Sequence, residues 1–166
     1  MGFEDIDEHA LTLAFHEAGH AVAAVTCAVG WTEVEIEEDF GGNGFQGWTG
    51  FLPDHHADTT PGNAAFISWA GGWAQACYLS PEDPWLVLAN VQEESCRVDM
   101  ERVYAYWNGG GTETDEQWAQ QLSGLWRHID ALAYRINRST QTRTPLHPEW
   151  EDGVDLPALH VEPGDE

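Results

Sequence analysis

The chain contains no lysine, and none of its six arginines comes before Arg97. Against 29 acidic residues this leaves a formal net charge of −23. A surface of that sign repels phosphate backbones, which argues against nucleic acid as a partner. It suits neutral or basic polypeptides and divalent cations, and equally plain solubility in a salty or crowded medium. Cysteine is scarce as well. Cys27, Cys77 and Cys96 are odd in number and far apart, with no C-x-x-C pair. That argues against a disulfide framework and a cysteine-rich zinc site, and leaves buried, reduced thiols as the expectation. No apolar run reaches the length of a bilayer span. Met1 to Asp5 lacks the basic residue of a secretory signal. The expected location is cytoplasmic, with no membrane partner.

What is present is enough apolar material for one domain. The 166 residues are 42% hydrophobic and include nine Trp, which suits a single compact core. Four helices are expected. The first, from Ala10 to Val29, is apolar nearly all round and therefore buried. Asp5 or Asp7 can cap it, and Asp5 with Glu8 has capping-box spacing. The second covers Gly62 to Leu79 with Gly71-Gly72 inside it, and the third covers Val91 to Trp107. The fourth, Asp115 to Asn137, carries an apolar stripe that includes Trp118, Leu122, Ile129, Leu132 and Ile136 at helical spacing. Between the first two helices, Val34 and Ile36 alternate with Glu33, Glu35 and Glu37, the period of a half-buried strand. Gln46 to Leu52 reads as a second strand, antiparallel to the first. Residues 1–139 are expected to fold as the domain. Residues 140–166, rich in Pro, Thr and acids, read as an acidic, loosely ordered tail.

The chemistry concentrates in His16-Glu17-Ala18-Gly19-His20. Histidines four apart on a helix leave the same face, and two neutral imidazoles so placed can grip one Zn²⁺ at about 2.0–2.1 Å each. Glu17 stands beside them, placed to take a proton from a metal-bound water whose pKa zinc lowers from 15.7 toward about 7. Two histidines and a glutamate inside so apolar a helix would be costly to bury without a shared role. A catalytic zinc site needs a third protein ligand. Asp83, Glu93, Glu94 and Asp99 are the candidates, and spacing does not choose among them. His55-His56 is the other histidine pair, but adjacent loop histidines point apart and read as surface.

The segment from Ala14 to Ala21 resembles the zinc helix of the FtsH-type peptidase domain, the proteolytic part of the AAA proteases. Further segments follow in order. Val34-Glu35-Ile36 and Gly47-Trp48-Thr49-Gly50-Phe51-Leu52-Pro53 are similar to that family's strand and its G-x-T-x-F-L-P segment. Trp69-Ala70-Gly71-Gly72-Trp73-Ala74 is similar to its glycine-pair helix, and Cys96 to Val103 to the helix whose Asp completes the zinc site. The resemblance covers about residues 8 to 138. It implies that Asp99 is the third ligand, and that the Val34–Ile36 strand is an edge along which an extended peptide can add. Ala76-Cys77 stand where the family has an acidic pair. The likeness reaches only the peptidase part, so the expectation is a stand-alone peptidase-like chain without the ATPase module. Neither an oligomer nor a separate ATPase partner is indicated.

Together these readings give an α+β class, mostly α: a helical, zincin-like peptidase domain with a small antiparallel sheet next to the HEAGH helix. The expected function is that of a zinc-dependent metalloendopeptidase acting on unfolded or short polypeptides. Zn²⁺ would sit on His16, His20 and Asp99, with Glu17 as general base and acid. The alternative is a non-catalytic zinc-binding regulatory or interaction module derived from the same fold.

Overall fold

A computed structural model describes residues 3–27, 31–39, 44–51, 60–106 and 112–142. Among them run α1 (Phe3–Thr26), β1 (Trp31–Asp39), β2 (Gly44–Phe51), α2 (Pro61–Leu79), α3 (Trp85–Glu94), α4 (Arg97–Tyr106), α5 (Thr112–Gly124) and α6 (Trp126–Thr142). The expected α+β class is corrected by this arrangement. The chain is mostly helical, and its core forms where helix meets helix. The sheet expected beside the zinc helix is reduced to one two-stranded antiparallel hairpin, β1 with β2. Only those two segments carry a period-2 pattern. Two strands are too few to make a layer, and such a hairpin depends on what it packs against.

The centre of the fold is the pairing of α1 with α2, the most extensive helix contact, with α6 on another side of α1. Both central helices are rich in Ala and Gly, so their backbones come close. Ala14, Ala18 and Ala21 of α1 and Ala65, Ala70 and Ala74 of α2 are fully buried. Larger side chains fill the flanks. Phe15 stacks on Tyr78 and on Trp126 of α6. Trp69 and Trp73 stack in parallel on α2, with Trp85 tilted against both and Trp118 against Trp69. Leu122, Ile129, Leu132 and Ile136 close the core from α5 and α6, with no exposed area.

Element boundaries differ from the sequence reading in ways that have local causes. α1 already runs at Phe3, so neither Asp5 nor Asp7 stands at its N-cap. α2 begins one residue early because Thr60 caps it, accepting from Asn63 N at 3.2 Å, with Pro61 in the first turn. The expected third helix, Val91 to Trp107, is two helices. α3 ends at Glu94, Ser95 N–H bonds back to Val91 O, and α4 restarts at Arg97. The expected fourth helix is broken too, at Leu125, directly after Gly124. The hairpin lies on α1, and α1 meets β2 more than β1. In its register Val34 faces Thr49 and Ile36 faces Gly47. Val34 and Ile36 are buried, and Gly47 and Thr49 half-buried. His55-His56 and residues 143–166 of the expected tail lie outside the described residues.

Candidate metal centre

Three side chains from two distant parts of the chain converge between α1, α2 and α4. His16 Nε2 lies 3.0 Å from Asp99 Oδ2, His20 Nε2 lies 3.3 Å from the same oxygen, and the two Nε2 atoms are 3.0 Å apart. The histidines reach one point because they stand one turn apart on α1. Asp99 reaches it from the first turn of α4, where a carboxylate is also favoured by the helix dipole. Among the described residues these three form a group that can hold a metal ion. Of the acids that spacing left open, Asp83, Glu93 and Glu94 are exposed, and Asp99 is the one that meets the histidines.

Hydrogen bonds on the far side of each ring fix what faces the centre. His16 Nδ1–H donates to Gln75 Oε1 at 3.0 Å, and His20 Nδ1–H donates to the Ile67 carbonyl at 2.7 Å. Each neutral ring then presents the Nε2 lone pair inward. Two lone pairs and a carboxylate oxygen at contact distance, all buried or half-buried, repel one another unless a cation joins them. Donor atoms about 2.0–2.2 Å from a tetrahedral ion stand about 3.3 Å apart. The observed triangle of 3.0, 3.0 and 3.3 Å is within a few tenths of that. The donor set therefore fits such an ion. Without a metal ion, a proton on His20 Nε2 facing Asp99 relieves the same repulsion. Burial alone would lower the pKa of His20, but the Asp99 carboxylate, its hydrogen bond, the Glu17 charge and the Ile67 carbonyl together raise it to about 9. Burial pushes Asp99 up, and the charge of His20 with hydrogen bonds from both rings outweighs this, holding its carboxyl well below the usual range. The site draws positive charge to these atoms.

Glu17 is not among the converging atoms. It is 5% exposed, and its carboxylate turns toward β2. There the Thr49 hydroxyl donates to Oε2. A Cβ on Gly47 would come within 2.7 Å of Oε1, so glycine leaves the carboxylate its room. The hairpin thus holds the acid in place.

Glycines shape the rest. A Cβ on Gly71 would run into His20 Nε2 and stand 2.9 Å from His16 Nε2. Gly71 of α2 is the floor of the centre. A Cβ on Gly19 would meet the Ala70 carbonyl oxygen at 2.5 Å, so Gly19 sets the close crossing that brings α2 under the histidines.

Sequence reasoning gave no role to Gln75, Ser95, Cys96, Thr49 or the Ile67 carbonyl. A lone amide in so apolar a helix was the available signal for Gln75. Nothing local marks Ile67, because its contribution is backbone. Cys27 and Cys77 are half-buried rather than buried, Cys96 is buried, and burial pushes all three thiols up to about 12. Among the described residues, none of the three belongs to the group that can hold a metal ion. Among the described residues no helix is long and apolar enough to cross a membrane. No protein-family model matches this chain and no curated protein matches it.

Proposed function

We propose that the chain is a zinc-dependent metalloendopeptidase of the FtsH-type kind its sequence resembles, acting on unfolded or short polypeptides. The observation that carries this reading is the convergence of His16 Nε2, His20 Nε2 and Asp99 Oδ2, with a buried carboxylate on the residue next to the first ligand. Hard and borderline cations both accept such a set, and two imidazoles with one carboxylate at tetrahedral spacing favour Zn²⁺. When bound, Zn²⁺ supplies Lewis acidity to a substrate carbonyl and to a water molecule.

The chain's own residues supply the rest. His16 and His20 bind through Nε2, each ring oriented by its Nδ1–H bond. Asp99 contributes the negative charge that compensates the cation. Glu17 takes the proton from the attacking water and delivers it to the departing amine nitrogen. Thr49 and Gly47 hold the carboxylate for both transfers. An extended peptide would add to a free edge of the hairpin by main-chain hydrogen bonds, with Glu17 held on the β2 side.

The test is hydrolysis of an unfolded, fluorescently quenched protein substrate by the zinc-loaded chain. Glu17→Gln keeps the shape and the zinc but cannot carry the proton. Its rate should fall by about 10²-fold or more. Wild type that binds zinc firmly yet cleaves nothing, with Glu17→Gln indistinguishable from it, would replace this reading with the non-catalytic binding module.

A further inference from the structure

Gln75 is 5% exposed on α2, between Ala74 and Ala76, which are fully buried. An amide in such a place is costly unless both its ends are bonded. Here they are. Oε1 accepts from His16 Nδ1–H at 3.0 Å, and Nε2 donates to Ser95 Oγ at 3.4 Å. Ser95 belongs to the turn between α3 and α4, just ahead of the helix that carries Asp99. One amide therefore links the back of one ligand to the segment that delivers another. The other atom near His16 Nδ1 is Cys96 Sγ, at 3.6 Å, a longer and weaker acceptor.

We propose that Gln75 is the positioning residue of the metal centre: it fixes the His16 tautomer and ring angle, and ties that ring to the α3–α4 turn through Ser95. This rests on the metal-centre reading above, and deepens it. A neutral amide carbonyl, unlike a carboxylate, adds no charge behind His16. The acceptor also discriminates by geometry. A half turn of the ring would exchange Nδ1 with Cδ2 and Nε2 with Cε1, leaving carbon atoms against both Gln75 and Asp99, so the Nδ1–H bond selects the orientation that aims Nε2 at the centre.

The experiment measures Zn²⁺ affinity by competition with a chromophoric chelator, and the visible absorption of the Co²⁺-loaded protein. Wild type is compared with Gln75→Leu, Gln75→Met and Gln75→Glu. Removing the acceptor with Leu or Met should weaken Zn²⁺ binding by about 10–100-fold and shift the Co²⁺ bands. Gln75→Glu keeps the shape with a stronger acceptor and should bind at least as tightly as wild type. Tight binding by the Glu variant beside weak binding by the Met variant, which fills similar space, is what a merely space-filling role would not produce. Met, unbranched like Gln, serves if the Leu variant fails to fold. Wild-type affinity in a folded Leu or Met variant overturns the proposal and leaves the centre standing. Failure of the wild type itself to bind Zn²⁺ or Co²⁺ overturns the metal-centre reading, and the proposal with it.

Discussion

Gly71 and Gly72 are neighbours on one helix, and they do different things. A methyl on Gly71 would occupy the space of the two Nε2 atoms, whereas one on Gly72 would meet only Cys96 Sγ, at 3.2 Å, and then Gln92. Both changes to Ala gain about the same helix propensity, up to ~1 kcal/mol, so propensity cannot separate them. Gly71→Ala should lose Zn²⁺ affinity by more than about tenfold, while Gly72→Ala should stay within a few-fold of wild type. Calorimetric titration of both variants checks this. Equal affinities would mean that the rings do not lie over Gly71. At this scale the site was partly open to sequence reasoning. His16, Glu17 and His20 stand at a spacing that helical geometry converts directly into a shared face. Asp99 did not follow from spacing and came only from resemblance, because its approach depends on how α4 meets α2. Gln75 and Thr49 were out of reach for the same reason: their partners lie 59 and 32 residues away.

At the level of elements, the α1–α2 crossing decides whether a centre exists. Gly19 makes that crossing close. Its missing Cβ would stand 2.5 Å from the Ala70 oxygen and 2.7 Å from Ala74 Cβ. Backbone cannot yield as a flexible side chain can, so Gly19→Ala should destabilise the fold by about 1–3 kcal/mol despite its better helix propensity. Thermal denaturation of the metal-free protein measures it. A raised Tm would show that the helices stand farther apart. Helix existence was legible here, since the apolar periodicities from Ala10, Gly62 and Asp115 all became helices. Helix continuity was not. The turn at Ser95 follows no proline or glycine. Its cause is tertiary: Cys96 is buried near Gly72 and His16, while Ser95 meets Gln75. The break after Gly124 did have a sign, a glycine with open space around it, at the C-terminal end of α5. A strong apolar stripe running across it, Leu122 to Ile129, masked that sign.

For the whole molecule, charge is the governing quantity. A formal −23 over 166 residues means that folding gathers like charges. Arg97 and Glu101 make an exposed i,i+4 pair at 3.9 Å, of a kind that contributes little. Self-repulsion should therefore be the salt-sensitive part of stability. Raising ionic strength from 0.01 M to 0.15 M shortens the screening length from about 30 Å to about 8 Å. The Tm of the metal-free protein should rise across that range. A Tm that falls would mean that favourable ion pairs outweigh the repulsion.

The meeting of His16 with Asp99 has a mechanical meaning as well. These residues are 83 positions apart in sequence, and the whole of the hairpin, α2 and α3 lies on the chain between them. A divalent ion gripped by both would fasten a long loop shut, much as a covalent bridge does by restricting the unfolded chain. Departure of the ion would then require α4 to peel away from α1, so release to a strong chelator should be slow, and paced by that opening.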